Sequence, residues 1–130
     1  MIHLGDVGRS NWEEIDAAPL ESVGYNFGRP QLEARSCWFP PTGYQTAGMT
    51  MPVVQYGRDE GCSVTGGDVY RRTQIRELIG HYFFADWCTG SIRSFRLENG
   101  TAGEVKEWTE LGKSAGCRRS GSMPMASSSW

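Results

Sequence analysis

The sequence predicts an all-β protein built from short antiparallel strands. Three observations carry that prediction. The 130 residues hold 17 glycines together with five Trp, five Tyr and five Phe, a pairing that favours short strands and tight turns over helices. Apolar stretches are brief, and turn signals interrupt them about every 8–12 residues. Helical periodicity is confined to Thr73–Leu78, about a turn and a half.

In chain order, Ile2–Val7 is the first strand and Glu14–Ala18 the second. A turn follows at Gly24-Tyr25-Asn26-Phe27-Gly28. A long Pro/Gly/Thr loop containing Pro40-Pro41 and Thr42-Gly43 then leads to a strand at Met51–Tyr56. Ser63–Arg71 reads as a strand in which Gly66-Gly67 marks a bulge or a close approach by another backbone. His81–Asp86 is aromatic and apolar, and Ser91–Leu97 ends in Asn99-Gly100, the type I′ hairpin signal. Val105–Leu111 is the expected returning strand. Four strands between Gly61 and Leu111 have the size of one four-stranded propeller blade, and the earlier strands would form much of another.

Composition excludes several functions. No apolar run approaches the roughly 18–20 residues needed to cross a bilayer, and Met1–Asp6 has neither the basic nor the apolar region of a signal peptide. A formal charge of −2 argues against binding nucleic acid by neutralising phosphates. The four cysteines, Cys37, Cys62, Cys88 and Cys117, form no C-x-x-C pair, so a structural zinc site is not expected. His3 and His81 are isolated and are not read as metal ligands. Cys62 and Cys88 each sit beside a glycine-rich turn next to a strand, and either a disulfide or two partly buried thiols fits that position.

Two segments are more specific: Gly61-Cys62-Ser63-Val64-Thr65-Gly66-Gly67-Asp68-Val69-Tyr70-Arg71, and the later Gly80-His81-Tyr82-Phe83-Phe84-Ala85-Asp86-Trp87-Cys88-Thr89-Gly90-Ser91-Ile92-Arg93. With Gly5-Asp6-Val7-Gly8-Arg9-Ser10-Asn11-Trp12-Glu13-Glu14-Ile15-Asp16 and Asn26-Phe27-Gly28-Arg29-Pro30, they resemble the glucose/sorbosone dehydrogenase family, the soluble quinoprotein sugar dehydrogenases. The likeness runs from about residue 2 to residue 111. It implies about two four-stranded antiparallel blades from the C-terminal part of a six-bladed β-propeller. The implied activity is oxidation of a sugar C1 hydroxyl by hydride transfer to pyrroloquinoline quinone (PQQ), with Ca²⁺ polarising the quinone carbonyl. The implied location is periplasmic or secreted.

The resemblance carries few residues over. No catalytic base is assigned, because the family's catalytic histidine belongs to blades outside this stretch, and no PQQ-binding residue can be named. The turn at Gly8 and Arg9 corresponds to the backbone carbonyls that hold Ca²⁺, a role that needs a tight turn more than a side chain. Cys62–Cys88 is the family-like disulfide. Arg29 stands where the family has Trp, and Asp68 and Arg72 where it has Tyr and Gly. Cys37 lacks the second cysteine usual near position 44, which is Tyr44 here.

Residues 1–112 are therefore expected to be propeller blades and 113–130 a separate disordered tail. That tail holds three basic residues, no acid and six serines. Read one codon phase over, Met123-Pro124 must give Ala and Met125-Ala126 must give Gly. Those letters fall on the D-A-D-G of the family's last strand, which points to a frameshifted C-terminus. A basic Arg118-Arg119 surface-binding tail is the alternative. The expected function is a sugar-dehydrogenase fragment inactive alone. The alternatives are a carbohydrate- or protein-binding module, with Trp12, Trp38 and Tyr44 as loop aromatics for sugar, and a remnant without independent function. Open blade edges invite self-association.

Overall fold

The computed structural model describes residues 1–21, 23–29, 31–37 and 45–112. The expectations for Pro30, Trp38, Tyr44, the Cys37 side chain and the 113–130 tail lie outside them. Among the described residues the protein is all-β, and its helical content is two 3₁₀ turns, Arg76–Leu78 and Thr109–Leu111. No helix among the described residues is long and apolar enough to cross a membrane.

The described residues form ten strands: β1 (Ile2–Asp6), β2 (Trp12–Ala18), β3 (Leu32–Glu33), β4 (Ser36–Cys37), β5 (Val54–Gly57), β6 (Val64–Val69), β7 (His81–Asp86), β8 (Ile92–Glu98), β9 (Thr101–Ala102) and β10 (Lys106–Glu107). The first sheet has the order β1-β2-β5; the second runs β10-β8-β7-β6, with β9 also paired to β8. All pairings are antiparallel. Among the described residues the first sheet thus has three strands, one fewer than a full blade.

Strand alternation dictates how the sheets stack. On one face of the first sheet lie His3, Gly5, Glu13, Ile15, Val54 and Tyr56; facing it from the second are Val64, Tyr82, Phe84 and Phe95. Ile15, Val54, Tyr56, Val64, Tyr82, Phe84 and Phe95 make the core cluster. Phe95 meets both Tyr82 and Phe84 edge-on, with centroids 5.7 and 6.1 Å apart, a favoured aromatic geometry.

Glycine lets β6 lie close to β7. A Cβ at Gly67 would collide with the Phe83 carbonyl, and the register of β6 on β7 shifts between Thr65 and Asp68. The expected Gly66-Gly67 bulge is therefore present. Asn99 and Gly100 both have positive φ, 50° and 81°, and join Glu98 to Thr101, as the hairpin signal requires.

Three expectations are corrected. β2 begins at Trp12, because the acidic pair Glu13-Glu14 is buried strand rather than polar lead-in. The chain returns from Asn99-Gly100 at once as β9, and Val105–Leu111 divides into β10 and a 3₁₀ turn. The long loop before residue 51 contains the β3–β4 hairpin, which turns at Ala34 with φ 54°.

Candidate metal centre

β2 places Glu14 and Asp16 two residues apart on the face turned away from the second sheet. The β1 register sets Asp6 opposite Glu14 on that same face. One carboxylate oxygen from each of Asp6, Glu14 and Asp16 lies within 4.8 Å of the others. The β3–β4 hairpin packs against this side: the Ala34 N–H donates to Glu14, and the Arg35 N–H donates to Gln55, the β5 partner of Glu14. Glu14 and Asp16 are only 3% and 2% exposed.

The electrostatics of the trio are under-compensated. Arg29 binds Asp6 bidentately, Nε to Oδ2 at 2.8 Å and Nη2 to Oδ1 at 2.7 Å, and also donates to the Val7 carbonyl. Arg29 thus contributes charge where the resemblance expects packing. Asp16 Oδ1 is buried with no hydrogen-bond partner. Burial first, then the charges of Asp16 and Asp6, push the Glu14 carboxyl up to about 7. Burial and the Asp6 charge push Asp16 up to about 6. Two buried carboxylates that resist ionising favour either a proton or a hard cation between them.

The neighbouring Gly8–Asn11 turn is satisfied by protein groups. Glu33 Oε1 accepts from the N–H groups of Ser10, Asn11 and Trp12 at 2.5, 3.0 and 3.5 Å. Burial alone would raise the Glu33 carboxyl, but these donors outweigh it and hold it low. Arg58 donates to the carbonyls of Gly8 (2.9 Å), Ser10 (2.8 Å) and Cys62 and pairs with Glu13 at 3.0 Å. A Cβ at Gly8 would collide with the Trp12 carbonyl. Gly8 therefore does make the tight turn, but its carbonyl faces a guanidinium, an unfavourable neighbour for a metal ion. Arg9 is exposed beside it. The trio also carries a guanidinium, Arg29 on Asp6, but sets three carboxylates against that one cation, so its donor set fits Ca²⁺ better than the turn does.

A second acidic centre lies between β7 and β8. Cys62 and Cys88 form a disulfide with Cα atoms 5.6 Å apart. Beside it, Asp86 accepts from the N–H groups of Cys62, Ser63, Cys88 and Thr89, all at 2.9–3.0 Å, and from the hydroxyls of Tyr56 and Thr89. Burial opposes its ionisation, but these bonds win and lower its carboxyl below the usual range. This centre holds the strand ends together.

Other sequence candidates are dispersed. His3 stacks on Tyr82 at 4.4 Å between the sheets, and His81 Nδ1 contacts Ser94 Oγ at 3.2 Å. Neither side chain shares the face of the trio. Trp12 opens β2 opposite Gly57 instead of standing in a loop. Asp68 and Arg71 pair at the surface at 3.2 Å. Arg58, Glu33 and the Asp6–Glu14–Asp16 cluster were not predicted as site residues. The alternation Glu14-x-Asp16 on a strand was the available signal.

The chain matches no protein-family model. Its fold is similar to that of the PQQ-bound aldose sugar dehydrogenase from Streptomyces coelicolor, with a TM-score of 0.59 and 20% identity over 84% of this chain. The match takes in 28% of that enzyme's length. At this identity the likeness shows the fold, two antiparallel sheets arranged as propeller blades in a partial β-propeller.

Proposed function

We propose that this chain is a blade pair of the quinoprotein sugar-dehydrogenase type, and that its own chemical contribution is to hold a divalent cation, Ca²⁺, at Asp6, Glu14 and Asp16. The observation that carries this reading is the buried, unpartnered Oδ1 of Asp16 within a cluster of three carboxylates. A cation there would satisfy that oxygen and allow Glu14 and Asp16 to ionise. It would also fix β1 on β2 and hold the adjoining Gly8–Asn11 turn, whose Gly8 and Arg9 carbonyls are the ligand positions the resemblance implies.

PQQ, when bound by such an enzyme, accepts hydride from the sugar C1. The groups described in this chain supply neither a base for the C1 hydroxyl nor an assigned grip on the quinone. Sugar oxidation would need residues contributed by further blades. The Cys62–Cys88 disulfide supports folding in an oxidising, periplasmic or extracellular compartment.

Thermal unfolding at pH 7.5 tests the cation. Adding Ca²⁺ after chelation should raise the midpoint of the natural chain and leave Asp16→Asn unmoved. Equal shifts in both proteins would remove the trio as the site. With PQQ, Ca²⁺ and an aldose, the chain should not reduce an artificial acceptor; turnover would show that it holds the catalytic groups denied to it here.

A further inference from the structure

β6 and β7 pair in a register that sets Val64 opposite Asp86. Continued by two residues, that register sets Cys62 opposite Cys88, but β7 ends at Asp86 and the chain turns away. One more ladder bond forms, from the Trp87 N–H to the Ser63 carbonyl at 2.8 Å. Beyond it the Asp86 carboxylate takes the place of the missing strand. Its Oδ2 accepts from the Cys62 and Ser63 N–H groups, both at 2.9 Å, and its Oδ1 from those of Cys88 and Thr89 at 2.9 and 3.0 Å. One side chain thus grips the backbone of both cysteines, one on each oxygen. Their Cα atoms lie 5.6 Å apart, inside the roughly 4.4–6.8 Å that a disulfide spans.

Asp86 is itself held from the first sheet. The Tyr56 hydroxyl donates to Oδ2 at 2.9 Å, and the Arg93 guanidinium lies 4.8 Å over the Tyr56 ring. Gly61 admits the carboxylate, because a Cβ there would collide with it. None of these contacts uses a sulfur atom, so the grip does not depend on the covalent bond between the cysteines.

We propose that Asp86 is the positioning residue of a reversible dithiol–disulfide couple, holding Cys62 and Cys88 within bonding reach whether or not their sulfurs are joined. Both cysteines are half-buried and flank an exposed residue, Trp87, so the reaction partner they fit is a small disulfide such as oxidised glutathione. One chain thiolate attacks that disulfide and expels one thiol. The second chain thiolate then displaces the other thiol and closes the Cys62–Cys88 bond. The chain gives up two electrons and two protons, and the oxidant takes them up as two thiols. Because the carboxylate has already fixed both cysteine backbones, the closing step loses little chain entropy. The closed form is favoured, and reduction leaves the two strand ends in place for reclosure. The grip depends on hydrogen bonds at Asp86 and not on a cation at Asp6, Glu14 and Asp16, so either can fail alone.

The couple is read by equilibrating the full-length chain with mixtures of reduced and oxidised glutathione, then alkylating free thiols and mapping the Cys62 and Cys88 peptides by mass. Asp86→Asn offers one acceptor oxygen in place of two. Its equilibrium constant for closure should fall about tenfold, a potential about 30 mV more positive. Ile15→Val loses core packing away from the pair and should keep the natural constant, because general destabilisation of a chain that stays folded does not move it. A natural constant in folded Asp86→Asn overturns the proposal, and so does an equal fall in both variants. Hydrogen exchange on the reduced natural chain gives an answer even if Asp86→Asn does not fold. The amides of Cys62, Ser63, Cys88 and Thr89 should stay protected without the disulfide. Loss of their protection on reduction overturns the proposal.

Discussion

Two buried acidic centres use opposite solutions to the same problem. Asp86 is 1% exposed and surrounded by donors: four backbone N–H groups and two hydroxyls. Its charge is stabilised and its carboxyl acidic. Glu14 and Asp16 are as deeply buried but face each other and Asp6, with one guanidinium for the cluster and one oxygen without a partner. Exposure is alike in both places, so the donors around Asp86 and the neighbouring carboxylates around Glu14 and Asp16 decide the sign of the shift. A carboxylate saturated with donors is a structural brace. A carboxylate left short of them is a binding site, or a stored instability.

The largest effect should come from breaking the brace. Asp86→Ala strands four N–H groups and the Tyr56 hydroxyl and should cost about 3–5 kcal/mol, read as a lower urea midpoint. Reducing the Cys62–Cys88 bond beside it, which spans a sequence separation of 26, should cost about 3 kcal/mol in the same measurement. Glu14→Gln should do the reverse. In chelator at pH 7.5 it removes an under-compensated charge and should stabilise the chain by about 1–2 kcal/mol. A loss of stability there would mean that Glu14, like Asp86, is a brace.

The pH profile sharpens the contrast. Glu14 and Asp16 have folded values of about 7 and 6, above ordinary values of 4.5 and 3.8. The folded chain therefore keeps protons that the unfolded chain has released. Their contribution is full below the ordinary values and is lost as pH rises to about 7. Asp86 and Glu33 are lowered, so theirs is present above 3.8 and 4.5 and lost as pH falls through their folded values. His3 and His81, whose values burial lowers from 6.5, also lose stability as pH falls. Without cation, denaturant midpoints should therefore drop on both sides, towards acid as Asp86, Glu33 and the two imidazoles take up protons and towards pH 7 as Glu14 and Asp16 ionise. Saturating Ca²⁺ should flatten the alkaline side and leave the acid side unchanged.

Much of the fold was legible because it is local. Asn99-Gly100 demanded its hairpin, Gly66-Gly67 its bulge, and the aromatic run at residues 81–86 its strand. The start of β2 was not, because Glu13 and Glu14 look like surface residues. Both are buried only because β1, β5, β6 and the hairpin close around them. The site was hidden for the same reason. Asp6 joins Glu14 and Asp16 through strand register, and Arg58 reaches Gly8 across 50 positions. The family-like Cys62–Cys88 pair was readable because both motifs flank strands that the resemblance aligned.

Calorimetric titration of the full chain with Ca²⁺ at pH 7, repeated in two buffers of different ionisation heat, tests the cation reading most directly. A cation at the trio must displace the proton that Glu14 holds at about 7. Binding with proton release in the natural chain is expected, with the release lost in Glu14→Gln and binding lost in Asp16→Asn. Heat that is independent of both substitutions, or no binding at millimolar Ca²⁺, would contradict it.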